Sequence, residues 1–181
     1  MDILRQQKAL KGAVLAVKNG GVIVCPTDTV YGFLADASNK KAVDKIYKIK
    51  KRPRLKPLPV FVKDFKMAKI LAEIDAKQEK ILKKYWPGKY TFVLNKKNSK
   101  GTIALRIPKH KFVNSLLKKI NKPLVQTSVN ISDNPVLTKI SDIIEQFGET
   151  DILVVDGGNL PKRKSSTIID LTKSKSNILR K

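Results

Sequence analysis

At 181 residues, 41% of them apolar, the chain can bury one substantial core and is short for two, so residues 1–181 read as a single domain. A formal charge of +23 asks for an acidic partner such as nucleic acid, nucleotide or anionic lipid, or else reflects lysine bias, since only six of the 38 basic residues are arginine. No apolar run approaches the roughly 20 residues that span a bilayer. Cys25 is alone, which excludes an intramolecular disulfide and a cysteine metal cluster, so a cytoplasmic protein with no membrane contact is expected.

Ile3, Leu10, Ala13, Val14 and Val17 recur at helical spacing, and Asn19-Gly20-Gly21 ends that helix with residues that tolerate positive φ. Val22 to Cys25 is an unbroken apolar run, read as a strand covered on both faces and stopped at Pro26. Thr27, Asp28 and Thr29 then form a turn, followed by Tyr31 and Gly32. Asn39 is a plausible cap for a helix whose buried face is Val43, Ile46, Tyr47 and Ile49, ending near Lys50 before Pro53. Leu58 to Val62 reads as a strand, and Asp64 and Asp75 open helices that run to Leu71 and Tyr85.

Trp86-Pro87-Gly88 is a turn. Tyr90 to Leu94 and Thr102 to Ile107 form an antiparallel pair joined by the lysine-rich loop Asn95 to Gly101. A helix over Phe112 to Ile120 leads to the apolar segment Leu124 to Gln126 and a polar turn of Thr127, Ser128, Asn130 and Ser132. Ser141 caps a helix ending at Phe147, Ile152 to Val155 is a strand ending in Asp156-Gly157-Gly158, and Thr167 to Leu171 is the last strand. Strands alternating with helices, plus one hairpin, give an α/β fold: a mixed sheet with flanking helices.

The chain lacks a G-x-x-x-x-G-K-[ST] loop, a G-x-G-x-x-G turn and a G-x-S-x-G elbow, which disfavours P-loop NTPases, Rossmann dehydrogenases and serine hydrolases. Any bound nucleotide must therefore be held by side-chain cations. Lys50, Arg52, Arg54 and Lys56 fall within seven residues and would balance a triphosphate. The plain alternatives are a solvated helix end favoured by the helix dipole and a nonspecific RNA patch. Arg52, Arg54, Arg106 and Arg180 lie beside turns or strand ends and suit bidentate phosphate or carboxylate binding. His110 has no second ligand at metal-site spacing and reads as a surface histidine. Cys25 reads as packing, and no protein metal site is expected.

Taken together, PTDTVYG, K-x-R-P, WPG, vRiP, S-x-N-x-S and S-T-I-x-D stand in an order that resembles the YrdC/Sua5 family of threonylcarbamoyl-AMP synthases, from about Leu10 to Arg180. With the chain ending at Lys181, the resemblance is to the short, single-domain YrdC type. It implies a twisted α/β sheet around an electropositive cavity, and an L-threonylcarbamoyladenylate synthase that makes threonylcarbamoyl-AMP and pyrophosphate from L-threonine, bicarbonate or CO2, and ATP with Mg²⁺. The product would serve N6-threonylcarbamoylation of tRNA by downstream transfer enzymes, so stable tRNA binding is not required.

The resemblance further implies that Lys50 and Arg52 lie on the ATP phosphates as the catalytic pair, with Lys56, Ser128, Asn130 and Arg180 also on the nucleotide. Thr29, Arg106 and Ser166 would hold threonine, Arg106 at its carboxylate, while Thr27 and Tyr31 shape that pocket. Two departures stand out: the spacer of K-x-R is Lys51 where the family commonly has glycine, and the family's S-G after S-x-N is Ser132-Asp133. The competing reading is an RNA-binding ribosome or tRNA maturation factor supported by the charge, with weak RNA or tRNA binding; few aromatics and no GXXG motif count against it. A third is the carbamoyl-adenylate chemistry of related domains in hydrogenase-maturation carbamoyltransferases, which are parts of much longer chains.

Overall fold

A computed structural model describes residues 1–6, 8–173 and 176–181. The elements in chain order are β1 (Asp2–Arg5), α1 (Leu10–Lys18), β2 (Ile23–Pro26), β3 (Tyr31–Asp36), α2 (Lys40–Ile49), β4 (Val60–Phe61), α3 (Phe65–Leu71) and α4 (Ala76–Tyr85), then β5 (Tyr90–Asn95), β6 (Thr102–Arg106), α5 (Lys111–Ile120), β7 (Leu124–Ser128), α6 (Ile140–Phe147), β8 (Leu153–Asp156), β9 (Thr167–Asp170) and β10 (Asn177–Arg180). The strands form one mixed sheet in the order β1-β8-β2-β3-β7-β4-β6-β5-β9-β10. Among the described residues no helix is long and apolar enough to cross a membrane.

Strand alternation divides the core between the two faces of the sheet. Val22 and Val24 point to one face while Ile23 and Cys25 point to the other, and Phe33 and Ala35 likewise oppose Leu34. The first face carries Ala42 and Ile46 of α2, Met67 and Ala68 of α3, Leu82 of α4, and Ile143 and Phe147 of α6. On it Phe33 meets Phe147 edge to face at 5.2 Å between ring centroids, an arrangement that adds about 1 kcal/mol beyond burial. The second face is covered by α1 and α5 through Ala13, Val17, Phe112, Val113, Leu116 and Leu117. Both faces being covered explains why β2 reads as a continuous apolar run.

The helix starts follow from their caps. Asn39 accepts from the Ala42 amide at 3.1 Å and Asp64 from that of Met67 at 2.8 Å, while Asp75 and Gln78 close a reciprocal capping box. Ser141 is not a cap. It lies inside α6, donating to Asp142, and Lys139 occupies the cap position without a side-chain bond.

Three strands depart from the sequence reading. Ile3 belongs to β1, which pairs parallel with β8, rather than to the first helix. Tyr31 and Gly32 open β3, which returns antiparallel along β2 with Pro26 opposite Tyr31. The Thr27–Val30 segment is therefore a hairpin turn, closed by Thr27 Oγ1 donating to Val30 O at 2.7 Å. Beyond the expected last strand, β10 adds an antiparallel edge to β9, with an irregularity between Ile178 and Arg180. Further along the sheet, β5, which flanks β9, and β6 form the expected antiparallel pair.

Candidate active site

A cavity of about 370 Å³ lies against the sheet, where Val93 of β5, Ala104 of β6, Gln126 of β7 and Ile168 of β9 contribute to its lining. Around these apolar and amide groups stand Arg52, Lys56, Arg106 and Arg180, together with Thr29, Ser128 and Ser166. Larger clefts, of about 720 and 620 Å³, lie elsewhere and line up residues near β1. The smaller cavity alone collects three of the six arginines, and chemistry outweighs volume in choosing the site.

Arg106 ends β6 and is 1% exposed. Its Nε donates to Gly88 O at 2.8 Å, Nη2 to Asp28 Oδ1 at 2.5 Å, and Nη1 reaches Thr29 Oγ1 at 3.5 Å. The other Asp28 oxygen accepts the Lys109 amide at 3.0 Å. Two elements thus brace the guanidinium: the β2–β3 turn through Asp28, and the turn after α4 through Gly88. A side chain at Gly88 would place its Cβ 2.5 Å from Tyr85 O, so that close approach requires glycine. Burial lowers the Arg106 pKa and the adjacent Asp28 charge opposes the shift. Three of five N–H groups are engaged, which leaves donors for an anion.

Arg52 follows the C-terminus of α2 and donates from Nε to Lys56 O at 2.8 Å and from Nη2 to Pro57 O at 3.1 Å. Arg180 on β10 donates to Ser166 O, at 2.8 Å from Nη2, and reaches Ser166 Oγ at 3.2 Å. Ser166 Oγ in turn lies 2.9 Å from Thr91 Oγ1. Burial lowers the Arg180 pKa first, and the charges of Arg52 and Arg106 lower it further. Three guanidiniums repelling one another around one cavity form a site that gains by taking in negative charge.

The other candidates are placed differently. Lys50 is 1% exposed, and its Nζ donates to Ser128 O at 2.7 Å, Asn130 O at 2.8 Å and Asn130 Oδ1 at 2.7 Å. Burial and the nearby Arg52 charge pull its pKa down to about 7, while three oxygen acceptors favour the ammonium. Asn130 also accepts from Ser128 Oγ at 2.8 Å and donates to Asn134 O at 2.6 Å. Tyr31 OH donates to Gly158 O at 2.6 Å and accepts the Gly157 amide at 3.0 Å. Thr27 is the staple of its turn. None of these four side chains lines the cavity. Lys56 does, held 3.1 Å from both Asp133 oxygens, whereas Arg54 turns away to pair with Asp44 and lie over the Tyr47 ring.

His110 is half-buried rather than on the surface, and its buried Nδ1 has no partner among the described residues. It lines a second cavity of about 430 Å³ with Thr27, Asp28 and Lys109, on which Arg106 does not open. Asp28 therefore divides the two cavities. Sequence reasoning left Asp28 as a turn residue, although an acid between two threonines, in a chain that also buries an arginine, is a signal for such a pair. Cys25 is buried, and burial pushes its thiol pKa up, consistent with packing.

The fold and cavity define a class: an α/β protein whose mixed sheet carries an arginine-lined cavity. Comparison with known proteins narrows this. A family model for Sua5, YciO and YrdC, described as telomere recombination, matches residues 15–181, and the chain belongs to that family. A Pyrococcus abyssi threonylcarbamoyl-AMP synthase is 33% identical over 165 residues, 86% of this chain and 48% of its own length. A Methanocaldococcus jannaschii protein provisionally given the same name is 34% identical over 176 residues, 94% of this chain and 84% of its own. The structure of Pyrococcus abyssi Sua5 with L-threonine superposes with a TM-score of 0.87 at 32% identity, covering 99% of this chain and 56% of that one. The chain thus spans about half the length of the Pyrococcus relatives. Enzymes bearing the synthase name are of the nucleotidyltransferase kind.

Proposed function

We propose that the chain is a cytoplasmic L-threonylcarbamoyladenylate synthase, joining L-threonine, bicarbonate or CO2, and ATP with release of pyrophosphate. The observation that carries this reading is the gathering of Arg52, Arg106 and Arg180 with Lys56 around one cavity. Arg106, with Thr29 and Ser166 nearby, suits an amino-acid carboxylate and hydroxyl. Arg52, Lys56, Ser128 and Arg180 suit a nucleotide. The names of the relatives, and the threonine bound to Pyrococcus abyssi Sua5, support the same assignment.

In this mechanism the neutral threonine amine adds to CO2 and gives up a proton to solvent, or condenses with bicarbonate with loss of water, and either route gives a carbamate. A carbamate oxygen attacks the α-phosphorus of ATP, the bond to the β-phosphate oxygen breaks, and pyrophosphate leaves. The protein contributes positioning and positive charge. Among the described residues no three His, Cys, Asp or Glu side chains gather to hold a metal, so Mg²⁺ would arrive on the ATP phosphates and help neutralise them. The product would feed tRNA modification through downstream transfer enzymes.

The test is threonine- and bicarbonate-dependent pyrophosphate release, with mass detection of the adenylate. Arg52→Ala should lower the rate about 100-fold, and Arg106→Ala should raise the threonine requirement far more than the ATP requirement. Full activity in Arg52→Ala, or equal effects on both substrates in Arg106→Ala, would sink these assignments. RNA binding without ATP turnover would favour the RNA-binding reading.

A further inference from the structure

We propose that Lys50 is a positioning residue, a buried rivet that locks the end of α2 to the loop after β7 and so sets Arg52 against Ser128, rather than a contact to the ATP phosphates. This rests on the nucleotide-binding reading above for what the two walls hold, but the rivet itself is a property of the free protein.

An ammonium has three hydrogens, and here each has an acceptor within 2.8 Å: Ser128 O, Asn130 O and Asn130 Oδ1. No donor remains for a phosphate, and the side chain does not line the cavity. The main chain of the same residue makes a fourth tie, since the Ser132 amide donates to Lys50 O at 2.8 Å. Side chain and backbone of one residue thus hold the loop at Ser128, Asn130 and Ser132.

On the other side, Lys50 is the C-cap of α2. Lys51 follows with φ of +49°, the Lys51 amide donates to Lys48 O at 3.0 Å, and the Arg52 amide donates to Tyr47 O at 2.9 Å. That pair of bonds is a Schellman motif, which fixes the direction in which the chain leaves the helix. The Arg52 backbone is therefore set within two residues of the rivet. Ser128 Oγ, bonded to Asn130 Oδ1, is set by the rivet's other end. A cation between two walls of a site, spending every donor on one wall while its backbone belongs to the other, fixes their separation.

Lys50→Met keeps the length and removes the donors; Lys50→Arg keeps the charge. If Lys50 is the rivet, both raise the ATP requirement about tenfold or more, as removal of an orienting group does elsewhere, at temperatures where both remain folded. The threonine requirement should change much less. Arginine is a good phosphate ligand, so activity restored to near wild type in Lys50→Arg but lost in Lys50→Met would overturn the proposal in favour of direct contact. Unchanged ATP use in both would also overturn it, leaving only a stabilising role.

Should the variants fail to fold, ¹⁵N-NMR of the wild-type ammonium groups decides. Lys50, the one buried lysine among the described residues, should show slowly exchanging ammonium protons before ATP is added, and ATP should leave that exchange rate unchanged. Fast exchange in the free protein, or protection that appears only with ATP, would overturn the rivet. A wild-type protein that makes no adenylate but shows the slow ammonium keeps the rivet and rejects the enzymatic reading.

Discussion

Lys51 and Asp133 stand where the resembled family commonly has glycine, and both have positive φ, +49° and +68°. The backbone at each turn demands a left-handed residue, and this chain meets the demand with side chains that resist it. Lys51 is exposed and makes no side-chain bond, so Lys51→Gly should relieve strain of about 1 kcal/mol, offset in part by the freedom glycine adds to the unfolded chain. We expect a small net gain in urea unfolding with unchanged adenylate formation. Asp133→Gly differs, because Asp133 holds Lys56 at the cavity rim. At Asp28 the effect is larger. Asp28→Ala leaves the buried Arg106 without its counter-charge and should cost about 3–5 kcal/mol; the milder Asp28→Asn should chiefly raise the threonine requirement. His110 offers a pH test. Burial holds its pKa below the ordinary value, against the opposing Asp28 charge. The unfolded chain therefore binds the proton more readily, so the stability present above about pH 6.5 falls as pH drops through the folded value. NMR titration of this sole imidazole, with stability at pH 7 and 5, checks the sign.

At the scale of elements, segments with strong local punctuation were legible: Asn39, Asp64 and Asp75 announce helices because a cap is a local bond. The strands β1, β3 and β10 were not. Four residues of β1 and four of β10 are exposed, so neither has an apolar pattern, and their pairing depends on β8 and β9 far away in sequence. β3 escapes the sequence reading altogether, because Tyr31 to Asp36 follows the turn residues directly, carries Gly32 and Asp36, and pairs with β7 far away in sequence. For the site, sequence order could nominate Arg106, Ser128 and Ser166 by resemblance, but not which donors remain available, since that depends on partners such as Gly88 and Asn130. The edge strand β10 supports a further prediction. Removing residues 177–181 deletes one pairing but takes Leu179 and Arg180 from the cavity. Unfolding free energy should fall by less than about 2 kcal/mol, as expected for a weakly buried edge, while the ATP requirement rises about tenfold from losing a charge-assisted contact. If truncation unfolds the protein, Arg180→Gln tests the same wall.

For the whole molecule, the question is whether a charge of +23 acts in one place or everywhere. The lysines of α1 and α5 lie on one side of the sheet and those of α4 on the other, so they form a diffuse field rather than a groove matched to one RNA strand. The arginines are different: three of six meet at the cavity. Two salt responses follow. Binding to any RNA through dispersed lysines should weaken steeply, roughly a thousandfold between 50 and 200 mM salt for about six phosphate contacts, with little dependence on sequence. The proposed adenylate formation would rest in part on Arg106, which is buried, and Arg52, which is half-buried; salt screens these charges less than the exposed Lys56 and Arg180, and turnover should fall by less than about tenfold over the same range. Filter binding with unrelated RNAs, run beside pyrophosphate release in the same buffers, compares the two directly. If RNA affinity survives high salt and selects one sequence while turnover is absent, the molecule's charge is organised for RNA, and the arginine cavity serves another ligand.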